Sequence, residues 1–262
     1  MQNFSLGGGF ALSYEELITK LAELIRTNQR FYVLTGAGIS TDSGIPDFRS
    51  PGTGLWEKVD PIAVSSVEVL KNDPRLFYEA GFSRFSKITM AEPNEGHRVL
   101  ARLEALGYLK GLVTQNIDGL HVKAGSKQVW EVHGHLRTGY CQGCKKKYPF
   151  EELVQQVELK RIPPICHNCY SVLRPEVVLF GDPMPTFFFE LQHKLQSECD
   201  FMLVVGSSLI VYPVADLPRL ARKMAIINQQ PTSYDHQAEV VVRENSSKAL
   251  SDLLHVLEHQ AG

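Results

Sequence analysis

The 262-residue sequence predicts an α/β fold, a parallel β-sheet covered by helices on both faces and broken by two inserted segments. Three observations carry that prediction. Short apolar runs of strand length recur along the chain, amphipathic stretches separate them, and a cysteine-rich stretch interrupts the rhythm.

The elements follow in order. Ser13-Tyr14-Glu15-Glu16 is a capping box, in which the Ser13 hydroxyl and Glu16 carboxylate satisfy free amides at a helix start. Leu17, Ile18, Leu21, Leu24 and Ile25 then repeat at helical spacing. Phe31-Tyr32-Val33-Leu34 is an apolar run ending in a glycine-rich turn and reads as a buried strand. Gly111-Leu112-Val113-Thr114, Phe201-Met202-Leu203-Val204-Val205 and Met224-Ala225-Ile226-Ile227 read the same way. Residues 96–106 and 214–222 read as helices between strands, which favours a parallel sheet. Residues 247–258 place Leu250, Leu253, Leu254 and Leu257 on one stripe and close the fold. Residues 50–92 carry prolines, glycines and exposed-looking helices, as a lid or helical module would. Residues 136–174 carry four cysteines and little apolar periodicity.

Composition limits the function. Hydrophobic residues make up 44% and charged residues 21%, as in an ordinary globular protein. A net charge of -2 gives no basic field to hold a nucleic-acid backbone, so direct nucleic-acid binding is not expected. No apolar run reaches the length of about 18 residues that spans a bilayer. The N-terminus lacks the order of a signal peptide, so a cytoplasmic protein is expected, with no membrane partner. Its five cysteines are then reduced thiols or metal ligands.

Cys141-x-x-Cys144 and Cys166-x-x-Cys169, with 21 residues between the pairs, form the strongest chemical signal. Two close pairs of thiolates make a tetrahedral cage for one zinc ion and leave no position open for water, which marks a structural site. In so apolar-poor a segment the metal is expected to supply much of the folding free energy, roughly 10–16 kcal/mol in zinc-finger peptides. His167, between the second pair, is not needed as a ligand, and Cys199 beside the 201–205 strand reads as buried packing.

Three further segments point to a ligand. Gly36-Ala37-Gly38-Ile39-Ser40 follows a strand and precedes a helix start, the arrangement that receives a pyrophosphate. Thr41 stands where a third glycine is usual, and no ribose-binding acid follows about 20 residues later, so a purely steric turn stays open as the alternative. Ser43-Gly44-Ile45-Pro46-Asp47-Phe48-Arg49 packs an acid, an aromatic ring and a guanidinium into a few residues. An aromatic can shield a reactive cation and an arginine can pair with phosphate, although a surface loop fits too. Thr114-Gln115-Asn116-Ile117-Asp118 puts polar side chains at a strand's carboxyl end, where ligands bind in doubly wound sheets and where helix caps also occur. His133 ends the Val129-Trp130-Glu131-Val132 run before Gly134, and a histidine suits proton abstraction at neutral pH. His97, His121, His135, His193, His236, His255 and His259 read as structural or surface residues.

In this order, these segments together with Phe180-Gly181-Asp182 and Gly206-Ser207-Ser208-Leu209 resemble the sirtuin family over nearly the whole chain. The resemblance implies a Rossmann-like doubly wound parallel sheet (13–49, 93–135 and 175–259) with a helical module and cofactor loop (50–92) and a small zinc-ribbon module (136–174). It implies NAD-dependent removal of acetyl or other acyl groups from protein lysine, yielding nicotinamide and O-acetyl-ADP-ribose. By the same resemblance Gly36, Ala37, Gly38, Ile39, Ser40 and Thr41, with Gly206, Ser207 and Ser208, hold the phosphates of NAD. Asn228 and Gln229 meet the adenosine side, and Asp47, Phe48 and Arg49 border the cofactor. Gln115, Asn116, Ile117 and Asp118 orient the nicotinamide ribose and carboxamide. The amide oxygen of acyl-lysine attacks the ribose carbon that nicotinamide leaves, and His133 then acts as base on a ribose hydroxyl. Residues 173–181 resemble the strand on which the substrate peptide pairs, with Val178, Phe180, Gly181 and Asp182 as its contacts. Asp182 stands where family members often carry Glu. The Tyr-x-x-Arg pair of sirtuins that take acidic acyl groups aligns with Gly81 and Arg84, so acetyl is the expected group. Mono-ADP-ribosyl transfer and a non-catalytic NAD-sensing module are the competing readings. An NAD-dependent dehydrogenase loses on the cysteine pairs and the atypical glycine turn. An acyl-lysine protein is the expected partner and a monomer the expected state.

Overall fold

The computed structural model describes residues 12–47, 61–82, 85 and 88–259. Within them run nine strands: β1 (Phe31–Thr35), β2 (Leu109–Thr114), β3 (Val129–Glu131), β4 (Gly134–Cys141), β5 (Lys147–Pro149), β6 (Leu173–Val177), β7 (Phe201–Val205), β8 (Lys223–Ile227) and β9 (Val240–Val242). Six form a sheet in the order β3-β2-β1-β7-β8-β9, every pair parallel. β5, β4 and β6 form a separate antiparallel sheet.

Alternation along the strands builds two apolar layers. Phe31, Val33, Leu112, Leu203 and Ile227 face the helices Tyr14–Thr27, Glu95–Ala105 and Ser246–His259. Tyr32, Leu34, Val113, Met202 and Ile226 face the helix Thr186–Glu198 and the turn Val214–Leu220. Strands buried on both faces read as unbroken apolar runs, which is why the sequence located four of them. β3 and β9, three residues each, are too short to give that signal. The expected capping box forms, with Glu16 N–H donating to Ser13 Oγ (3.2 Å) and Ser13 N–H to Glu16 Oε2 (2.7 Å). The expected helix over 214–222 is instead a 3₁₀ helix, Val214–Leu220, with Pro218 inside it. Proline lacks the N–H that an α-helical turn needs there.

The third core corrects two expectations. The helices within 61–82 are not exposed on all sides, because Phe77, Tyr78 and Phe82 are fully buried. The cysteine-rich segment is not apolar-poor where it matters: Tyr148, Phe150, Leu153 and Leu173 are buried in the same cluster. Tyr78 and Phe82 rings lie 4.9 Å apart and Phe82 and Phe150 rings 5.3 Å apart, so one aromatic core joins the two segments. Deleting one such ring costs roughly 3–5 kcal/mol. The metal therefore shares the work of folding this segment with a core that its surface charges hid from the sequence.

Candidate active site and zinc centre

The parallel strands end in one row. Glu131, Thr114, Thr35, Val205 and Ile227 are register partners across β3, β2, β1, β7 and β8. The loops that leave this row therefore start side by side. They carry Gly36 to Thr41, Gln115 to Asp118, His133, Gly206 to Ser208, and Asn228 and Gln229. From β1 the chain goes first to β2 on one side and later to β7 on the other, so a crevice opens between the loops after β1 and β7.

Three glycines line that crevice. Gly36 N–H donates to Val205 O (3.1 Å) and Gly38 N–H to Gly206 O (2.8 Å). A Cβ on Gly36 would lie 2.8 Å from Gly206 O, and one on Gly38 would lie 2.8 Å from Gly206 Cα. Gly206 itself has φ +61°, where L residues are strained. The steric reading of these glycines is thus true: they let two loops close on each other. It coexists with a cradle, since backbone so bare of side chains admits a pyrophosphate. The turn that follows is a 3₁₀ helix, Ala37–Ser43, in which Thr41 Oγ1 donates back to Gly38 O (3.0 Å).

Polar side chains from neighbouring loops interlock beside it. Gln115 Nε2 donates to Ser207 Oγ (2.8 Å), tying the β2 end to the β7 end. Asn116 Nδ2 donates to Ser40 Oγ (3.0 Å) and Gly36 O (3.2 Å), and Ser40 Oγ donates to Asp118 Oδ2 (2.7 Å). Asp118 Oδ1 also accepts Leu120 N–H (2.9 Å), so the helix-cap reading of this acid holds as well. Burial raises the Asp118 carboxyl above its usual range, against the opposing hydrogen bonds from Leu120 and Ser40. Asn116 is 6% exposed, yet its Oδ1 has no partner. A buried acceptor of this kind costs about 1–3 kcal/mol unless a ligand donor meets it, as a ribose hydroxyl or carboxamide N–H does. Cradle and orphaned acceptor together fit NAD.

His133 lies next to this group. Its Nδ1 is 3.0 Å from Gln115 O, which can only accept, so Nδ1 carries the proton and Nε2 is the bare, basic nitrogen. Burial lowers its pKa, opposed by the Gln115 hydrogen bond, and the ring is neutral at pH 7. Ser208 and Gln229 are exposed, Ala37, Asp47 and Asn228 are half-buried, and Ile117 O accepts Leu136 N–H (3.0 Å). Phe48, Arg49 and Arg84 lie outside the described residues, as does the acyl-channel reading that rested on Arg84.

Two buried histidines that read as structural sit behind this network. His97 Nε2 is 3.4 Å from Ser40 Oγ, and His121 Nε2 is 2.9 Å from Thr35 Oγ1. Desolvation lowers the His97 pKa to about 4 and that of His121 well below 6.5. The signal was present in Asn94-x-x-His97, a helix-start spacing in which Asn94 Oδ1 accepts His97 N–H (3.3 Å).

In the segment expected to receive a peptide, Val178 N–H donates to His133 O (2.9 Å). Phe180 joins the 65–67 segment, accepting Val67 N–H at 2.9 Å and donating to Ser65 O at 3.4 Å. The Asp182 carboxylate pairs with Arg174, at 2.6 Å.

The cysteine thiols converge. Cys141 and Cys169 sulfurs lie 3.3 Å apart, Cys144 and Cys166 sulfurs 3.7 Å apart, and all four within 4.8 Å. Zinc–sulfur bonds of about 2.3 Å in a tetrahedron set sulfurs roughly 3.8 Å apart, so the cage fits zinc. The two knuckles repeat one geometry: Lys145 N–H donates to Cys141 O (3.1 Å) and Tyr170 N–H to Cys166 O (3.0 Å), both donors at φ near +60°. His167 pairs instead with Glu152 (2.8 Å), as expected of a non-ligand. Cys199 is buried, and burial pushes its thiol up to about 12.

Comparison with known proteins agrees. The model of the Sir2 family matches residues 36–213. An NAD-dependent protein deacetylase 2 of Caldanaerobacter subterraneus subsp. tengcongensis is 51% identical over 249 residues, covering 95% of this chain and 99% of its own. Among solved structures, a Sir2 histidine-to-alanine variant with deacetylated p53 peptide and 3'-O-acetyl ADP ribose superposes with TM-score 0.87 at 35% identity, over 91% of this chain and 97% of its own. A Sir2–p53 peptide–NAD+ complex gives TM-score 0.81 at 35% identity, over 92% and 97%.

Proposed function

The chain belongs to the Sir2 family, and from that premise we propose which of its residues perform the chemistry. It is an NAD-dependent protein-lysine deacylase that moves an acetyl group from lysine to ADP-ribose and releases nicotinamide. When bound, NAD supplies a ribose carbon made electrophilic by its nicotinamide leaving group. His133 Nε2 takes the proton of the attacking hydroxyl, and the Nδ1 bond to Gln115 O fixes both tautomer and ring direction. Asn116 Oδ1 accepts from the ribose or carboxamide, and Asp118, held by Ser40, keeps Asn116 in place through that shared hydroxyl. Gly36, Gly38, Ile39, Thr41 and Ser207 surround the phosphates. Asn228 and Gln229 lie at the β8 end, on the adenosine side. Val178, Phe180 and Gly181 receive the peptide, and the four cysteines hold one structural zinc. Reduced thiols of this kind suit a reducing compartment such as the cytoplasm.

The observation that carries this reading is the pinned imidazole of His133, since a module that only senses NAD has no use for an oriented base. Mass spectrometry of NAD with an acetyl-lysine peptide tests it. We expect nicotinamide, free lysine and O-acetyl-ADP-ribose in equal amounts from the wild type. His133→Ala should lower turnover by about 10²–10⁴-fold with melting temperature unchanged. ADP-ribosylated peptide in place of deacetylated peptide would establish the transfer reading instead.

A further inference from the structure

We propose that Asp182 acts on substrate through Arg174, as a positioning residue, and does not itself contact the peptide. The inference rests on the reading that Val178 to Gly181 receives the peptide. Arg174 lies on β6, inside the zinc-bearing sheet, and is 6% exposed. Its Nη2 donates to Asp182 Oδ2 (2.6 Å) and its Nη1 to Asp182 Oδ1 (3.3 Å), a two-point grip across the turn. The same Nη2 donates to Val177 O (3.0 Å), and Asp182 Oδ2 also accepts Leu179 N–H (2.9 Å). Asp182 N–H returns to Leu179 O (3.0 Å), closing a tight turn with Gly181 at φ +88°. Tyr140 covers the guanidinium, its ring centroid 5.5 Å from the arginine carbon.

The carboxylate bonds of Asp182 named above go to Arg174 of β6 and to Leu179 of its own turn. Its side chain is 15% exposed and that of Arg174 8%, so a passing peptide side chain meets little of either charge. What the pair fixes is the shape of residues 177–182. Within that stretch Val178 N–H holds His133 O, and Phe180 pairs with Ser65 and Val67 of the neighbouring helical segment. The clamp therefore sets the pitch of a backbone edge between the catalytic strand and a second wall. A peptide that adds to such an edge by main-chain hydrogen bonds gains affinity from an edge already in shape. Peptide affinity is then governed by the pair, independently of the charges that flank the acyl-lysine.

The test measures binding of a fluorescein-labelled acetyl-lysine peptide, and KM for peptide and for NAD, with acidic, neutral and basic flanking residues. Asp182→Asn, Asp182→Glu and Arg174→Lys are compared with the wild type at equal zinc content. We expect peptide Kd and KM to rise about tenfold for all three flanks, with KM for NAD nearly unchanged and kcat falling less. Asp182→Glu should fail alongside Asp182→Asn, because the added methylene displaces the grip although the charge remains. A loss confined to basic flanks, with Asp182→Glu normal, would establish direct contact and overturn the proposal. Lowered melting temperature with unchanged peptide Kd in these variants would also overturn it, leaving the pair a stability element only. Should Asp182→Asn not fold, Asp182→Glu and Arg174→Lys carry the same test. A wild type that binds acyl-lysine peptide but consumes no NAD would refute the deacylase reading while leaving the binding comparison decisive.

Discussion

Acid weakens the network behind the site. His97 is fully buried, its ring 4.8 Å from that of His121, and desolvation lowers its pKa from 6.5 to about 4. Above pH 6.5 the ring is neutral in both folded and unfolded chains, and pH has no effect through it. Below 6.5 the unfolded chain takes up a proton that the folded chain refuses, so stability falls as pH falls and stops falling near pH 4. At about 1.4 kcal/mol per pH unit, the loss reaches about 2 kcal/mol at pH 5 and about 3 kcal/mol at pH 4. Urea denaturation at pH 7.5 and 5.0, with zinc present, measures it. His97→Gln retains hydrogen-bonding groups but does not titrate, and Asp118 and His121 are common to both proteins. The wild type should therefore lose about 2 kcal/mol more than the variant over that interval. Equal losses would refute the argument that buried His97 stays neutral at the cost of acid stability.

Other expectations follow from the same geometry. Burial lowers the His133 pKa, so kcat/KM should fall with falling pH through a midpoint below 6.5, and an acid limb centred above 7 would contradict the assignment of the base. Gly38→Ala brings a Cβ to 2.8 Å from Gly206 Cα, backbone against backbone. It should cost about 1–3 kcal/mol in chemical denaturation and raise KM for NAD. Chelation of one zinc per chain should speed hydrogen exchange across β4, β5 and β6 while β1, β7 and β8 stay protected, because the two sheets have separate cores. Uniform loss of protection would show a single cooperative unit.

Strands buried on two faces declare themselves, as Phe31–Thr35 and Phe201–Val205 do, because no polar residue interrupts them. The four cysteines were equally plain, since two knuckles at that spacing serve little else. Other features depend on partners remote in sequence. Tyr78 donates its hydroxyl to Leu173 O (2.5 Å), 95 residues away, and nothing local marks that tyrosine as buried. Phe150 and Leu153 share the apolar face of their helix with Val154 and Val157, but nothing in that helix names its partner Phe82, which lies 68 residues upstream of Phe150. The glycine turn shows the limit from the opposite side. Its residues were legible, but the reason for them, contact with Gly206 at the end of β7, lies 170 residues downstream.

His133, the proposed base, stands where the two sheets meet, and this gives a zinc site with four sulfur ligands a structural route to its position. Val132 N–H still donates to Thr114 O (3.1 Å), extending β3 along the six-stranded sheet. Two residues later Gly134 pairs with Val177 in the zinc-bearing sheet, at φ +77°, with a Cβ there falling 2.9 Å from Val177 Cα. Only glycine tolerates that crossing. His133 is the residue between, its ring bound to Gln115 just past β2 of one sheet and its carbonyl to Val178 just past β6 of the other. The aim of Nε2 is therefore the difference between two frames, and it is only as exact as the register of β4 on β6. Cys141 ends β4, its register partner Leu173 begins β6, and Cys166 and Cys169 lie just before that start. A metal that locks those cysteines fixes the Gly139–Cys141 end of the β4–β6 pairing, and the proposed base adjoins its other end, across the register shift between Gly134 and Gly139. A structural ion that touches no substrate can in this way set the position of a catalytic proton acceptor.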